Sequence, residues 1–230
     1  MAKLSVNRST VAGIGRALIA AAPAMAPAVA VNGLRRIIDL GIDGYSRFPG
    51  AKQAAASALQ KHTSSEPAVE AIIKQHLALA GAQGFVTNLG GFEVMAVTMP
   101  ANVTGIAIVQ ARMVASVAHL RGYDVDDPRV RGAVMMCLLG EKGVHELVEK
   151  GELPSPMVVA TAPVLDDTLH STIAEKVMGA LFANATGRRM AVAATKRVPV
   201  IGGGVGAVAD GWSTYGIAQF AKKQFVSRHR

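Results

Sequence analysis

Acidic residues are missing from both ends of this sequence, aromatic side chains are scarce throughout, and cysteine occurs once. The single thiol, Cys137, excludes an internal disulfide and any cysteine-built metal cluster, and fits a reducing compartment. It reads as a small core residue. Aromatics at 4% leave few stacking platforms for single-stranded nucleic acid. Charged residues make up 17%, below the roughly one quarter of an average soluble domain, and half of the chain is apolar, which excludes disorder. Catalytic signatures are absent as well. His145-Glu146 begins a zincin-like string, but Glu149 stands where the second histidine belongs, and there is no nucleophile elbow and no P-loop lysine. No metal and no cofactor is implied.

The charge that is present is placed unevenly. Lys3, Arg8, Arg16, Arg35 and Arg36 precede the first acid, Asp39. Near the other end, Arg188, Arg189, Lys196, Arg197, Lys222, Lys223, Arg228 and Arg230 face Asp210 alone. Such ends attract anionic lipid or nucleic acid. Without a helix-turn-helix, zinc-finger or RNP pattern, nucleic acid is the disfavoured partner. Arg8, Arg16, Lys222, Lys223 and Arg228 are the candidate contacts with an anionic membrane surface. Val11, Ile14 and Leu18 fall on one side of a basic helix, which predicts an amphipathic, surface-seeking start. Its alternative is a processed signal peptide ending near Ala24-Met25-Ala26, against which Pro23 and Pro27 argue.

Helical spacing dominates the rest. Val69, Ile72, Ile73, His76, Leu77 and Ala80 follow Ser64-Ser65 and Pro67, predicting a capped helix that stops at Gly81. Asp126-Asp127 before Pro128 opens a second helix, stopped by Gly140, and Asp166-Asp167 opens a third, closing near Gly187. Both acid pairs read as helix caps rather than catalytic dyads. Ala51 to His62 reads as an alanine-rich helix exposed on one side, Gly44 to Pro49 as a turn, and Met157 to Ala160 as the one plausible strand. The most apolar run is Val103 to Leu120; Val94 to Leu120 is long enough to cross a bilayer, but it contains Pro100 and Asn102 and would bury Arg112 deep within it, so a membrane span is disfavoured.

Two patterns single out residues. Arg112, Ser116, His119 and Tyr123 recur at helical spacing as a polar stripe, for which Glu93 and Asp210 are the candidate acidic partners. They form either a core ion pair or a polar pocket for an anion. Between Val200 and Phe225, Gly202 and Gly206 lie four apart, as do Gly203, Ala207 and Gly211. They give a small-residue face for close helix packing, opposite an apolar face of Ile201, Val205, Val208, Trp212 and Tyr215. The same segment holds a GxGxxA string, but Pro199 disrupts the strand that a dinucleotide loop requires.

The order of several motifs resembles the EcsC family: Gly81-Ala82-Gln83-Gly84, Asn88-Leu89-Gly90-Gly91-Phe92 through Met99-Pro100, and the Arg112 helix ending in Ala118-His119-Leu120-Arg121-Gly122-Tyr123-Asp124. Asp126-Asp127-Pro128 follows, then Lys196-Arg197-Val198-Pro199-Val200-Ile201-Gly202 with the glycine-rich helix behind it, ending in Ala221-Lys222-Lys223. The resemblance covers about residues 78 to 226. It implies a bacterial helical protein of undefined molecular function, linked in its namesake to an ABC-transporter operon, and it assigns no catalytic residue. Thr98-Met99 stands where the family often has an acid before proline, and Asp210 where asparagine is common. The resulting expectation is an all-α, single-domain helical bundle with a glycine-rich C-terminal helix. Residues 1–75 form a loosely matched helical region and 76–230 the EcsC-like core. It is expected to be non-enzymatic, cytoplasmic and peripheral to the inner face of the membrane, with a membrane protein complex as a further partner. The alternatives are a lipid or peptide hydrolase using the Arg112 stripe, and a scaffold or nucleic-acid-binding protein.

Overall fold

A computed structural model describes residues 27–46, 48–88, 91–164, 166–194 and 202–228. The expectations for the N-terminal stretch, including Arg8 and Arg16, lie outside them. The chain is all-α. Its elements are α1 (Pro27–Asp43), β1 (Gly44–Tyr45), β2 (Phe48–Pro49), α2 (Ala51–Leu59), α3 (Ser65–Asn88), α4 (Gly91–Leu120) and α5 (Pro128–Cys137). There follow α6 (Gly140–Glu149), α7 (Pro156–Thr161), α8 (Asp167–Ala194) and α9 (Gly202–Gln224).

Capping sets the helix starts as the sequence predicts. Asp127 accepts from the Arg129 amide at 2.8 Å, with Pro128 in the first helical position. Asp166 accepts from the Thr168 amide at 3.2 Å. Two helices outrun their expected ends: α3 passes Gly81 and α8 passes Gly187. Glycine costs only about 1 kcal/mol inside a helix, which packing along a long apolar stripe offsets. The expected strand at Met157–Ala160 is helical instead. Ser155 caps it through the Val158 amide and Pro156 opens it, so local capping overrides the β-branched pair Val158-Val159. The turn at Gly44 to Pro49 is a minimal antiparallel hairpin, pairing Gly44 with Pro49 and Tyr45 with Phe48.

Helix α4 is the hub. From Ile108 to Ala118 every residue is buried, and the helix packs against α1, α2, α3, α5 and α9. Alanine and glycine permit the tightest of these approaches. A Cβ on Gly41 of α1 would lie 2.9 Å from Ala111 Cβ and 3.0 Å from the Arg112 amide nitrogen. Cys137 is buried, as expected, and burial pushes its thiol pKa up.

One guanidinium sets the register of three helices. Arg121, just past α4, donates to both carboxylate oxygens of Glu66 on α3, at 3.0 and 2.8 Å. It also donates to the Lys222 and Phe225 carbonyls at the end of α9, at 2.6 and 2.9 Å. Gln110 donates to Thr214 at 3.0 Å, so α4 and α9 run parallel with α3 antiparallel to both. The C-terminal end of α3 and the N-terminal ends of α4 and α9 therefore gather at one end of the bundle, opposite Arg121. Beyond α9 the chain folds back, and the Arg228 amide donates to the Arg121 carbonyl at 2.9 Å. Replacing Arg121 with alanine strands these acceptors, and we expect a loss of about 2–4 kcal/mol in urea denaturation. Glu66→Gln, at a half-exposed position, should cost roughly 1 kcal/mol or less.

Candidate functional site

The predicted polar stripe divides. Arg112 and Ser116 are buried together in the hub helix, 2% and 0% exposed. The Ser116 hydroxyl is within reach of the Arg112 carbonyl at 2.8 Å and the Ala51 carbonyl at 3.1 Å, tying α4 to the start of α2. His119 is only half-buried near the helix end. Tyr123 leaves the stripe altogether, because Gly122 at φ +87° turns the chain away. Its ring meets Phe225 edge-on at 5.1 Å, and the Arg228 guanidinium lies 4.3 Å above it. Tyr123 thus belongs to the C-terminal latch.

Among the described residues no acid pairs with Arg112, and the side chains of the two acids expected as its partners, Glu93 and Asp210, lie outside them. Glu93 stands on the same helix, about 28 Å away along the axis at 1.5 Å per residue. Asp210 lies on α9, which Gln110 faces, and a residue two positions on points to the opposite side of the helix. The surroundings of both acids' side chains, and of Gly202, Gly203, Gly206 and Ala207, lie outside the described residues. At Gly211, among the described residues, nothing comes within 4 Å of an added Cβ.

What Arg112 meets instead is aromatic. Its guanidinium carbon lies 4.1 Å from the centroid of the Phe48 ring, a cation–π contact. Phe48 in turn leans on Tyr45, with ring centroids 5.3 Å apart. The hairpin carrying both rings is held by glycines that no other residue could replace in this conformation. Gly44 has φ +81°, and a Cβ on Gly50 would lie 2.4 Å from the Ile42 carbonyl oxygen. No acid forms an ion pair with Arg112 among the described residues, and its Nε–H has no hydrogen-bond partner there. Burial lowers its pKa from the ordinary guanidinium value, with Tyr45 acting in the opposite sense.

A second buried orphan lies on α3. His76 on α3 is fully buried, and its Nε2 also lacks a partner among the described residues. Its Nδ1 lies 2.7 Å from the Ile72 carbonyl oxygen. A carbonyl only accepts, so Nδ1 carries the proton and a neutral ring presents a bare lone pair at Nε2. Burial first, and the Arg112 charge in addition, hold the imidazole pKa down at about 4, against the Ile72 hydrogen bond. Sequence reading placed His76 on an apolar stripe and passed over it, as it did Tyr45 and Phe48. The signal within reach was the close spacing of Gly41, Gly44 and Gly50 around two aromatics.

A groove of about 670 Å3 among the described residues is bordered by Arg35, Arg129, His170 and Val164. Its cations are largely engaged. Arg129 binds Asp127 and the Ala162 and Pro163 carbonyls, and Arg35 donates to His170 Nδ1 at 3.0 Å. No cluster of metal-ligating side chains exists among the described residues.

The profile of the EcsC protein family matches residues 52–229, beginning well before the region whose motifs carry the resemblance. No curated protein and no solved structure matches the chain.

The depressed His76 pKa makes a stability prediction. Unfolded, the imidazole takes up a proton near pH 6.5; folded, it resists until about pH 4. Stability is therefore expected to fall as pH drops through that window, by roughly 3 kcal/mol, and to lose no more from this group below it. Urea titrations across the window should show the loss, and His76→Phe should flatten it.

Proposed function

The chain belongs to the EcsC protein family, and from that premise we propose that it is a non-enzymatic peripheral membrane protein, docking by the end of the bundle where α3 finishes and α4 and α9 begin. The supporting observation is on α9. Trp212 is 78% exposed and Tyr215 48% exposed. These are the two aromatics that sequence periodicity assigns to the helix's apolar face. Trp and Tyr favour the membrane–water boundary, where an apolar ring and a polar atom each find their own medium.

The sequence around that end of the bundle is nearly free of charge. Between Lys74 and Arg112 only Glu93 is charged, apart from His76, and between Arg197 and Lys222 only Asp210. No described helix is long and apolar enough to cross a membrane, so the proposed mode is shallow insertion. Arg188, Arg189, Lys196 and Arg197 stand in sequence just before α9, where cations supply attraction to anionic headgroups. Lys222 and Lys223, expected as lipid contacts, are paired within the chain, to Glu70 at 2.5 Å and Glu141 at 2.8 Å. Arg228 is stacked on Tyr123. These three sit at the far end of α9 and contribute less to the proposed attachment. Placement on the cytoplasmic face beside a membrane protein complex follows from the family's link to an ABC transporter and is part of the same proposal.

Trp212 is the only tryptophan in the chain, so its emission reports on the docking surface alone. We expect a blue shift when anionic vesicles are added, co-flotation that survives high salt in part, and roughly tenfold weaker partitioning of Trp212→Ala, as loss of one buried aromatic implies. Unshifted emission together with no flotation on anionic or neutral vesicles would reject the reading.

A further inference from the structure

The groove beside the start of α5 is unexplained by membrane docking. Four parts of the chain build it: Arg35 from α1, Asp127 and Arg129 at the start of α5, Val164 from the loop after α7, and His170 from α8. Its walls are fixed. Arg129 holds both Asp127 carboxylate oxygens at 2.9 Å and also donates to the Ala162 and Pro163 carbonyls, which ties the 162–164 loop to α5. The His170 ring is seated against α5 as well, where a Cβ on Gly132 would lie 4.0 Å from its Cδ2.

Within these walls one charge is left over. Arg129 is matched by Asp127. Asp39 and Asp43, the acids on the helix that carries Arg35, both pair with Arg131, at 2.7 and 2.8 Å. Arg35 has no acid partner among the described residues. Its guanidinium donates to His170 Nδ1 at 3.0 Å, and its Nε–H is buried without a partner there. A guanidinium carries donors only, so Nδ1 accepts and the ring is neutral. The positive charge of Arg35 is thus met by a dipole and by no counter-charge. The rim adds a second feature. Val164 is 78% exposed although Arg129 holds its loop in place, and Pro128 and Pro163 line the groove with it.

We propose that this groove binds an aliphatic monocarboxylate, with the carboxylate on Arg35 and the hydrocarbon body along Pro163 and Val164. Charge selects the head group. One negative charge cancels that of Arg35, whereas the second charge of a phosphate monoester would face the Asp127 carboxylate. The planar fork of a guanidinium also matches the two oxygens of a carboxylate. The rim selects the body, because a small inorganic anion would leave Val164 and the two prolines in water. At about 670 Å3 the groove falls within the roughly 300–1,000 Å3 of small-molecule sites. No residue of α9 lines it, so the proposal stands or falls independently of membrane docking.

The test uses the full chain without vesicles at about pH 7.5, above the ordinary imidazole range. Hexanoate binding is followed by calorimetry and thermal melts, beside acetate, hexanol and hexyl phosphate. We expect a saturable rise in Tm of about 3 °C with hexanoate. Acetate, which has the charge without the body, should bind at least about tenfold more weakly. Hexanol and hexyl phosphate should give no saturable response. Arg35→Met, which keeps the aliphatic stem, should abolish hexanoate binding. Val164→Asp alters an exposed loop position, so it should melt as the parent does while binding hexanoate at least about tenfold more weakly, through like-charge repulsion. Asp167, whose side chain lies outside the described residues, serves as a control: Asp167→Asn should leave the affinity unchanged. The proposal would be overturned by no hexanoate binding, by undiminished binding in Arg35→Met or Val164→Asp, or by acetate, hexanol or hexyl phosphate binding as tightly as hexanoate. A marked gain from Asp167→Asn would overturn it too, since the counter-charge would then be the chain's own.

Discussion

Arg121 joins parts of the chain that are distant in sequence, and its geometry leaves little freedom in how they meet. Its guanidinium spans a carboxylate on α3 and two carbonyls at the end of α9, while its own carbonyl accepts from the Arg228 amide of the returning C-terminal segment. Carbonyls at a helix end have no partner within the helix, and a buried end must find one elsewhere. Here a single planar donor from the neighbouring helix satisfies two of them. A slip of α9 by one residue would rotate it by about 100° and break the Gln110–Thr214 bond as well. The parallel run of α4 and α9, and with it the gathering of the uncharged sequence at one end, follows from this contact.

The hub helix shows how differently two buried arginines behave. Arg121 sits at the edge of the core and has an acid and two carbonyls, so its charge is matched. Arg112 sits inside and has an aromatic ring, so its charge is softened but not matched among the described residues. The glycines at 41, 44 and 50 bring α1 and the hairpin close enough to supply that ring. A fold that required only stability would fill this position with an apolar side chain.

Exposure on α9 points to a functional feature. A tryptophan left largely in water is uncommon for a residue that buries so much surface when it can. It stands near the middle of α9, in a stretch where only Asp210 is charged between Arg197 and Lys222, and that setting is the ground on which a docking surface is proposed. The proposed membrane attachment would rest on α9, whereas Arg112 belongs to the region where α4 meets the hairpin.

Much of the architecture was legible in the chain itself. Capping by Asp127 and Asp166, the helix behind Pro128, the long glycine-rich helix and the absence of a β-core all follow from local spacing, because a helix satisfies its own backbone and leaves its period in the sequence. The family resemblance was likewise carried by linear order. Met157–Ala160 misled because two adjacent β-branched residues weigh less than a serine cap and a first-position proline. The aromatic contact of Arg112 was not legible, since the isolated acids in apolar stretches drew attention to Glu93 and Asp210 while three-dimensional packing set Phe48 over the guanidinium. Helical periodicity could name the faces of α9 but not say which face meets protein, and so Trp212 was read as apolar without being known to be exposed. The sequence determined which segments are helical and where they begin, since those depend on neighbours a few residues away. Tertiary structure alone decided which side chains share an environment, because that depends on helix crossings set by contacts such as Arg121–Glu66 between residues far apart in the chain.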